Sequence, residues 1–387
     1  MPRGNIIWRA VLGVPCVLSC ALLTPASPIS YAGSDRPAAR ETTVSLHGDS
    51  FLINGRPTYA GRTFRGMRVE GLLLNARLVQ GIFDDLNPLT RPRWNYPDGP
   101  WDPRRNTREF VAAMPAWRAA GLLSFTINLQ GGNPEGYGNL QPWINSAINS
   151  DGSLRADYLD RLEQILDRAD SLGMAPILGI FYFGQEPRLR DERAAVHAVE
   201  QITDWVLARG YANVMIEIAN ECDNSRYHSI IRPMRAGELI RLVQQRSAGR
   251  VRSAAGRLLV STSFSGGRLP TDNVIAAADF ILLHGNGVND PARIRQMIES
   301  VRHSPQYHGQ PILFNEDDHY AFEQPDNNLT AALSRHAGWG YFDYRMKGEG
   351  FADGFQSVPV DWSIHSLRKT GFFSLVRQIS GTQPMGR

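Results

Sequence analysis

Glu221 and Glu316 stand 95 residues apart, and each closes an apolar run: "VMIEIANE" (214–221) and "PILFNE" (311–316). A carboxylate at the end of a buried strand is costly unless it is paired, solvated or used. Two of them brought together could divide acid–base work, one delivering a proton while the other accepts one or attacks an electron-poor centre. Each has an amide before it, Asn220 and Asn315, and other apolar runs also finish on polar groups: one near Asn128 and Gln130, one near Tyr182 and Gln185, one on His284 and Asn286. For a lone glutamate, a salt bridge to one of the many arginines is the plainer reading. The matched pair favours catalysis over that reading. Asp317 and Asp318 compete with Glu316, because alternation puts Asp318 on its face of a strand. Alternation also sets Glu217 beneath Glu221, with Ile216, Ile218 and Asn220 on the opposite side.

The elements that must position these groups are legible as a rhythm. Apolar runs at 68–76, 122–130, 174–184, 212–220, 257–265, 279–286, 310–317 and 338–344 alternate with segments of helical spacing. In "LRADYLDRLEQILDRADSL", Leu159, Leu162, Ile165, Leu166 and Ala169 share one helix face. Several such segments close on glycine before the next run, at Gly121, Gly173, Gly210 and Gly338. Eight strands and eight helical intervals, the last at 364–380, predict an α/β fold of the (β/α)8 TIM-barrel type. An open doubly wound sheet would carry a Gly-rich phosphate loop after its first strand, and there is none. Ahead of the barrel, "FLINGRPTY" predicts a short N-terminal hairpin turning at Asn54-Gly55. In a barrel, groups at strand C-termini meet at one mouth, which gathers the polar ends named above.

At this point the chain resembles a known family. "IEIANE" (216–221) is similar to the acid/base strand of the clan A glycoside hydrolases, notably the family 5 cellulases and mannanases, and "PILFNE" resembles their nucleophile strand. The resemblance implies a retaining glycosidase with Glu221 as acid/base and Glu316 as nucleophile. It implies a sugar contact at Asn220 and an active-site role for His284, and no cofactor or metal. Asn128 is expected as polar lining, and Tyr182 and Trp339, with Phe183, Tyr341 and Phe342, as possible stacking surfaces for sugar rings. Four departures stand out. Cys222 follows Glu221 where the family has Pro. "FTINLQGG" lacks the second-strand Arg, "FYFG" lacks the third-strand His, and Trp339 comes early in the eighth strand. Two other functions use the same barrel. A metal-dependent hydrolase would draw on Asp317, Asp318, His319 and Asp84, but no His-x-His strand or His-Glu-x-x-His helix supports it. A carbohydrate-binding protein without catalysis would not need both carboxylates.

The loops add candidates. "LQGGNPEGYGNLQPW" (129–143) is Gly-rich without a P-loop's Lys-Ser/Thr, and reads as a substrate loop. "WNYPDGPWDPRRNTREF" (94–110) is long and aromatic, as binding loops often are. Asp84 and Asp85 lie in "GIFDDLNP", where Asn87-Pro88 favours a turn.

Composition narrows the classes. Among 387 residues, 41 are basic and 38 acidic, a net charge of +3, and the arginines are scattered among acids. No basic stripe suggests nucleic-acid binding. Residues 1–32 read as an export signal: Arg3 and Arg9, the apolar "AVLGVPCVLSCALL", then "SYA" at 30–32 as a cleavage site. That apolar core is too short for a stable membrane span. A lipid anchor at Cys20 is the minor alternative. The division expected is signal 1–32, linker and hairpin 33–62, and barrel 63–387. After cleavage only Cys222 remains of three cysteines, so stability must come from the core.

Overall fold

The computed structural model describes residues 40–138 and 140–382, besides Met1. The signal segment, Cys20 and most of the 33–41 linker lie outside the described residues.

The N-terminal residues form a small antiparallel sheet of β1 (Val44–His47), β2 (Ser50–Ile53) and β3 (Arg56–Pro57). Its second turn is Asn54-Gly55, with φ of 52° and 73°, the left-handed pair that a two-residue hairpin needs. A smaller hairpin follows, β4 (Thr63–Phe64) with β5 (Met67–Arg68).

Eight parallel strands come next, each inside one of the eight predicted runs: β6 (Leu74–Ala76), β7 (Thr126–Asn128), β8 (Ile177–Tyr182), β9 (Met215–Asn220), β10 (Leu259–Ser261), β11 (Ile281–His284), β12 (Ile312–Glu316) and β13 (Trp339–Tyr341). They are followed in turn by α1 (Pro103–Ala119), α2 (Ala156–Ser171), α3 (Glu192–Ala208), α4 (Pro233–Ser247), α5 (Asp272–Ala277), α6 (Pro291–His303), α7 (Asn328–Ser334) and α8 (Leu367–Ser380). Ladders join β7–β8–β9–β10, β11–β12 and β13–β6, and bridges at Arg77–Thr126 and Leu313–Gly338 link β6 to β7 and β12 to β13. No ladder joins β10 to β11 among the described residues, although the Asp279 N–H reaches the Val260 carbonyl there at 2.9 Å. The fold is a (β/α)8 barrel. Among the described residues no helix is long and apolar enough to cross a membrane.

Local chemistry explains the helix boundaries. Asp102, Asp191 and Asp290 accept hydrogen bonds from the first-turn amides of α1, α3 and α6, and Pro103 and Pro291 occupy first positions, where no N–H is missed. The predicted face of α2 is buried at all five positions. Gly338 is needed for closeness rather than for a turn, since a Cβ there would sit 2.2 Å from the Leu73 carbonyl oxygen.

Inside the barrel the lowest layer is apolar: Leu73, Ile177, Met215, Leu259, Leu282 and Leu313 pack with Val44 and Phe51 of the N-terminal sheet. Phe51 meets Phe280 edge-on at 5.9 Å, and the Val44 N–H bonds the Ala212 carbonyl at 2.8 Å, so the small sheet closes the barrel floor. Above it the interior turns polar. Asn75 donates to Thr126 Oγ1 and to the Asn315 carbonyl, and Asn315 reaches the buried Glu217 at 3.4 Å.

Candidate active site

The mouth of the barrel gathers three titratable side chains. Oxygens of Glu221 and Glu316 and a ring nitrogen of His284 all lie within 4.8 Å of one another. His284 Nδ1 is 3.3 Å from Glu221 and 3.7 Å from Glu316. His284 is fully buried and Glu316 nearly so, while the Glu221 side chain is 17% exposed. This is the matched pair that the strand ends predicted, with the histidine between them.

Two breaks in regular strand geometry aim the carboxylates. At the end of β9, Glu221 has a φ of 54°, a left-handed conformation that costs a non-glycine residue roughly 1–3 kcal/mol and tends to collect at functional sites. Its N–H bonds Ser263 Oγ at 3.0 Å, and the next N–H, of Cys222, bonds the Ser263 carbonyl at 2.9 Å. A proline at 222 could not make the second bond and would disfavour that φ at 221, so Cys in place of the family's Pro has a backbone reason. In β12 the register shifts, with Leu283 opposite Phe314 but His284 opposite Glu316. The extra residue is Asn315, a bulge that turns both Asn315 and Glu316 inward. The bulge lies before Glu316, and past it alternation resumes, so Asp318 remains on the mouth side as expected. What separates Asp318 from Glu316 is its partner, since it accepts from Tyr137 Oη at 2.8 Å, while Asp317 turns away to Trp339 Nε1 and Asn328.

Arg77 is the group that sequence reasoning missed. It follows β6 by one residue, just past the end of the apolar run at 68–76. Its Nε is 2.6 Å from Glu316, it donates to Asn220 Oδ1, and its Nη1 is 3.8 Å from Glu217. A guanidinium thus stands beside the nucleophile candidate despite the absence of arginine from the second strand. Asn286 donates to the other oxygen of Glu316 at 2.8 Å, and to Tyr137 Oη at 2.7 Å.

These contacts set the proton affinities. Burial pushes the Glu316 carboxyl above its ordinary range, and the Glu221 charge adds to this; Arg77 and His284 pull the other way without cancelling it. Burial acts upward on Glu221 too, but the bond and charge of His284, helped by Arg77, leave it below the usual range. Burial opposes protonation of His284, yet the two carboxylates hold it above a free imidazole.

The remaining candidates divide. Asn220 lies at the site, with its oxygen fixed by Arg77; its side chain turns toward Arg77 rather than staying on the face of Ile216 and Ile218. Tyr182 also lies at the mouth, receiving Gln141 Nε2 on its hydroxyl at 3.2 Å. Asn128 sits lower, paired in register with Gly179 and so level with Glu217, and its amide has no hydrogen-bond partner among the described residues. Gln130 is structural, holding the Tyr182 N–H and Ser146. Trp339 is not exposed at the mouth, where the sequence placed a stacking surface. It is fully buried, donates to Asp317 and packs against Phe322 and Phe372 on the helix side of the barrel. The aromatic loop is corrected likewise. Trp94, Tyr96 and Trp101 are buried: Asp85 and Asp84 accept the indole N–H groups of Trp94 at 2.8 Å and Trp101 at 3.2 Å, and Tyr96 stacks on Trp101. Cys222 is buried and its thiol pushed well up by burial, so it packs as wall rather than reacting.

Of the residues the metal-centred alternative names, Asp317, Asp318 and His319 lie together with donor atoms within 4.8 Å, apart from Asp84. Asp84 is committed to Arg91 and Trp101 and Asp317 to Trp339, Asn328 and His319, while Arg77 puts a cation against Glu316.

No protein-family model matches the sequence, and no curated protein matches it either. Solved structures do match in three dimensions. An endo-1,4-β-mannanase from Rhizomucor miehei superposes with a TM-score of 0.53 at 13% identity, over 88% of this chain and 99% of the other. A glycoside hydrolase family 5 protein from Bacteroides vulgatus gives 0.52 at 14%, over 87% and 70%. A broad-specificity endoglucanase from Clostridium longisporum gives 0.51 at 10%, over 81% and 96%. Such low identities speak to architecture, and the fold of this chain is a distant relative of the clan A, family 5 glycoside hydrolase barrel.

Proposed function

We propose that the protein is an exported glycoside hydrolase that cleaves O-glycosidic bonds with retention, Glu221 serving as acid/base and Glu316 as nucleophile. The observation that carries this reading is the carboxylate pair at the ends of β9 and β12, with oxygens within 4.8 Å of each other. Retaining enzymes hold their carboxyl groups about 5–5.5 Å apart, whereas inverting enzymes need roughly 6.5–9.5 Å to admit a water. In the first step Glu221 protonates the leaving oxygen while Glu316 attacks the anomeric carbon. The C–O bond breaks and a glycosyl–Glu316 ester forms. In the second, Glu221 takes a proton from water, which displaces Glu316. Arg77 and Asn286 bond both oxygens of Glu316 and orient it, and Asn220, its oxygen held by Arg77, has its amide hydrogens for a sugar hydroxyl.

A second reading exchanges the two roles, since Glu316 is the more deeply buried of the pair, which favours its neutral form, while Glu221 bonds His284. One experiment tests both. A fluorinated glycoside that traps the glycosyl-enzyme, followed by peptide mass spectrometry, is expected to label Glu316. A label on Glu221 selects the exchanged roles, and an unlabelled protein with no turnover on a broad glycan panel removes the hydrolase. Glu316→Gln and Glu221→Gln are each expected to lower kcat by about 10²–10⁴-fold. A non-catalytic carbohydrate binder would keep its ligand in Glu316→Gln with no turnover to lose. Export rests on the pattern of residues 1–32, and is checked by the mature N-terminus falling at Gly33.

A further inference from the structure

Beside Glu221 lies a groove of about 460 Å³ that the reaction itself does not use. It is lined by Tyr137, Tyr182, Phe183, Asn224 and Arg226, with Gly136 and Gly138 in its wall. Its position follows from the turn after β9. The Asn224 N–H bonds the Glu221 carbonyl at 2.9 Å, and Asn224 Oδ1 accepts the Arg226 N–H at 3.1 Å. The groove is thus lined by Asn224 and Arg226, which follow the proposed acid/base in the chain, and by Tyr182, which pairs in register with Asn220. On the far side Tyr137 is tied through Asn286 to Glu316.

The chemistry of the lining is specific. Three aromatic rings offer flat surfaces to sugar rings, Tyr182 and Phe183 with centroids only 4.4 Å apart. Arg226 extends over Phe183 at 5.8 Å, and its guanidinium has no carboxylate partner among the described residues. The nearby acids are engaged elsewhere: Asp223 with Ser265 and Arg268, Asp318 with Tyr137 and the Gly287 N–H, Glu186 with His228. A guanidinium fork without an acid partner, extended over an aromatic ring, fits an anion carried on a sugar.

We infer that this groove is a leaving-group-side subsite for an anionic sugar residue, one bearing a carboxylate or a sulfate ester, read by Arg226 and stacked on Tyr182 and Phe183. The inference rests on the glycoside-hydrolase reading for its place in the reaction, but its test does not need turnover. Isothermal titration calorimetry on the full protein carrying Glu316→Gln compares a uronic acid oligosaccharide, a sulfated one and an uncharged one of equal length. An anionic oligosaccharide is expected to bind at least about tenfold more tightly than the uncharged one, an advantage that shrinks at high salt. Adding Arg226→Gln should abolish that advantage, and Arg226→Lys should restore part of it. Which anionic ligand gains more identifies carboxylate or sulfate. Equal affinities for charged and uncharged ligands, or an anionic preference that survives Arg226→Gln, would overturn the subsite. Because Arg226 is exposed on a loop, both variants should fold, which circular dichroism verifies. Turnover of uncharged glycans with equal affinities would sink the subsite and leave the hydrolase standing. A charge preference in a protein without turnover would do the reverse.

Discussion

At the scale of single residues, the site depends on one guanidinium shared among acids. Arg77 touches Glu316 and Asn220 and faces Glu217 beneath them, and its charge pulls the Glu316 carboxyl down against burial. Arg77→Gln removes that pull, so Glu316 should ionise only at higher pH. If Glu316 must be charged to attack, the acidic limb of the kcat/KM profile moves upward. Loss of orientation should also lower kcat/KM on the order of a hundredfold; a limb that stays in place would show that Glu316 does not titrate in it. Glu221, Glu316, Asn220 and His284 were legible because strand ends in a barrel converge. Arg77 was not, because the apolar pattern marks a strand and says nothing of the residue just after it. Trp339 and the 94–101 aromatics misled for a related reason: an aromatic in or near a strand packs or binds according to where a buried acceptor waits, and the apolar pattern does not show that Asp317, Asp84 and Asp85 fold back onto these tryptophans.

At the scale of elements, the eight runs and the helical intervals were readable because the barrel imposes a repeating apolar period. The departures from regularity were not, and these do the aiming. The bulge at Asn315 adds a residue to β12, and the left-handed turn at Glu221 redirects the end of β9. Both interrupt the two-residue period that sequence reasoning extends by default, and past the bulge Asp318 differs from Glu316 by its bond to Tyr137 rather than by its face. The turn gives a direct prediction. Cys222→Pro should destabilise the protein by at least about 1–3 kcal/mol, since it strips the Ser263 carbonyl of its donor and opposes the positive φ before it. Chemical denaturation measures the cost; an unchanged midpoint would mean that the turn is not held by that bond.

At the scale of the whole molecule, the N-terminal sheet is part of the barrel rather than an appendage. Phe51 is buried against Phe280 and the lowest strand layer, so Phe51→Ala should cost about 3–5 kcal/mol in thermal or denaturant unfolding. The hairpin was legible from Asn54-Gly55. Its seat on the barrel floor was not, because that contact joins residues from opposite halves of the chain. A closed floor makes the interior a well with one opening. In the proposed two-step reaction, the water that frees the sugar from Glu316 must come through the same mouth that the departing half of the glycan has just left. While that half lingers in the aromatic groove, hydrolysis waits. On that proposal, an alcohol or a second sugar lodged there would be placed to take the glycosyl group in water's stead, and glycan joining would compete with cutting.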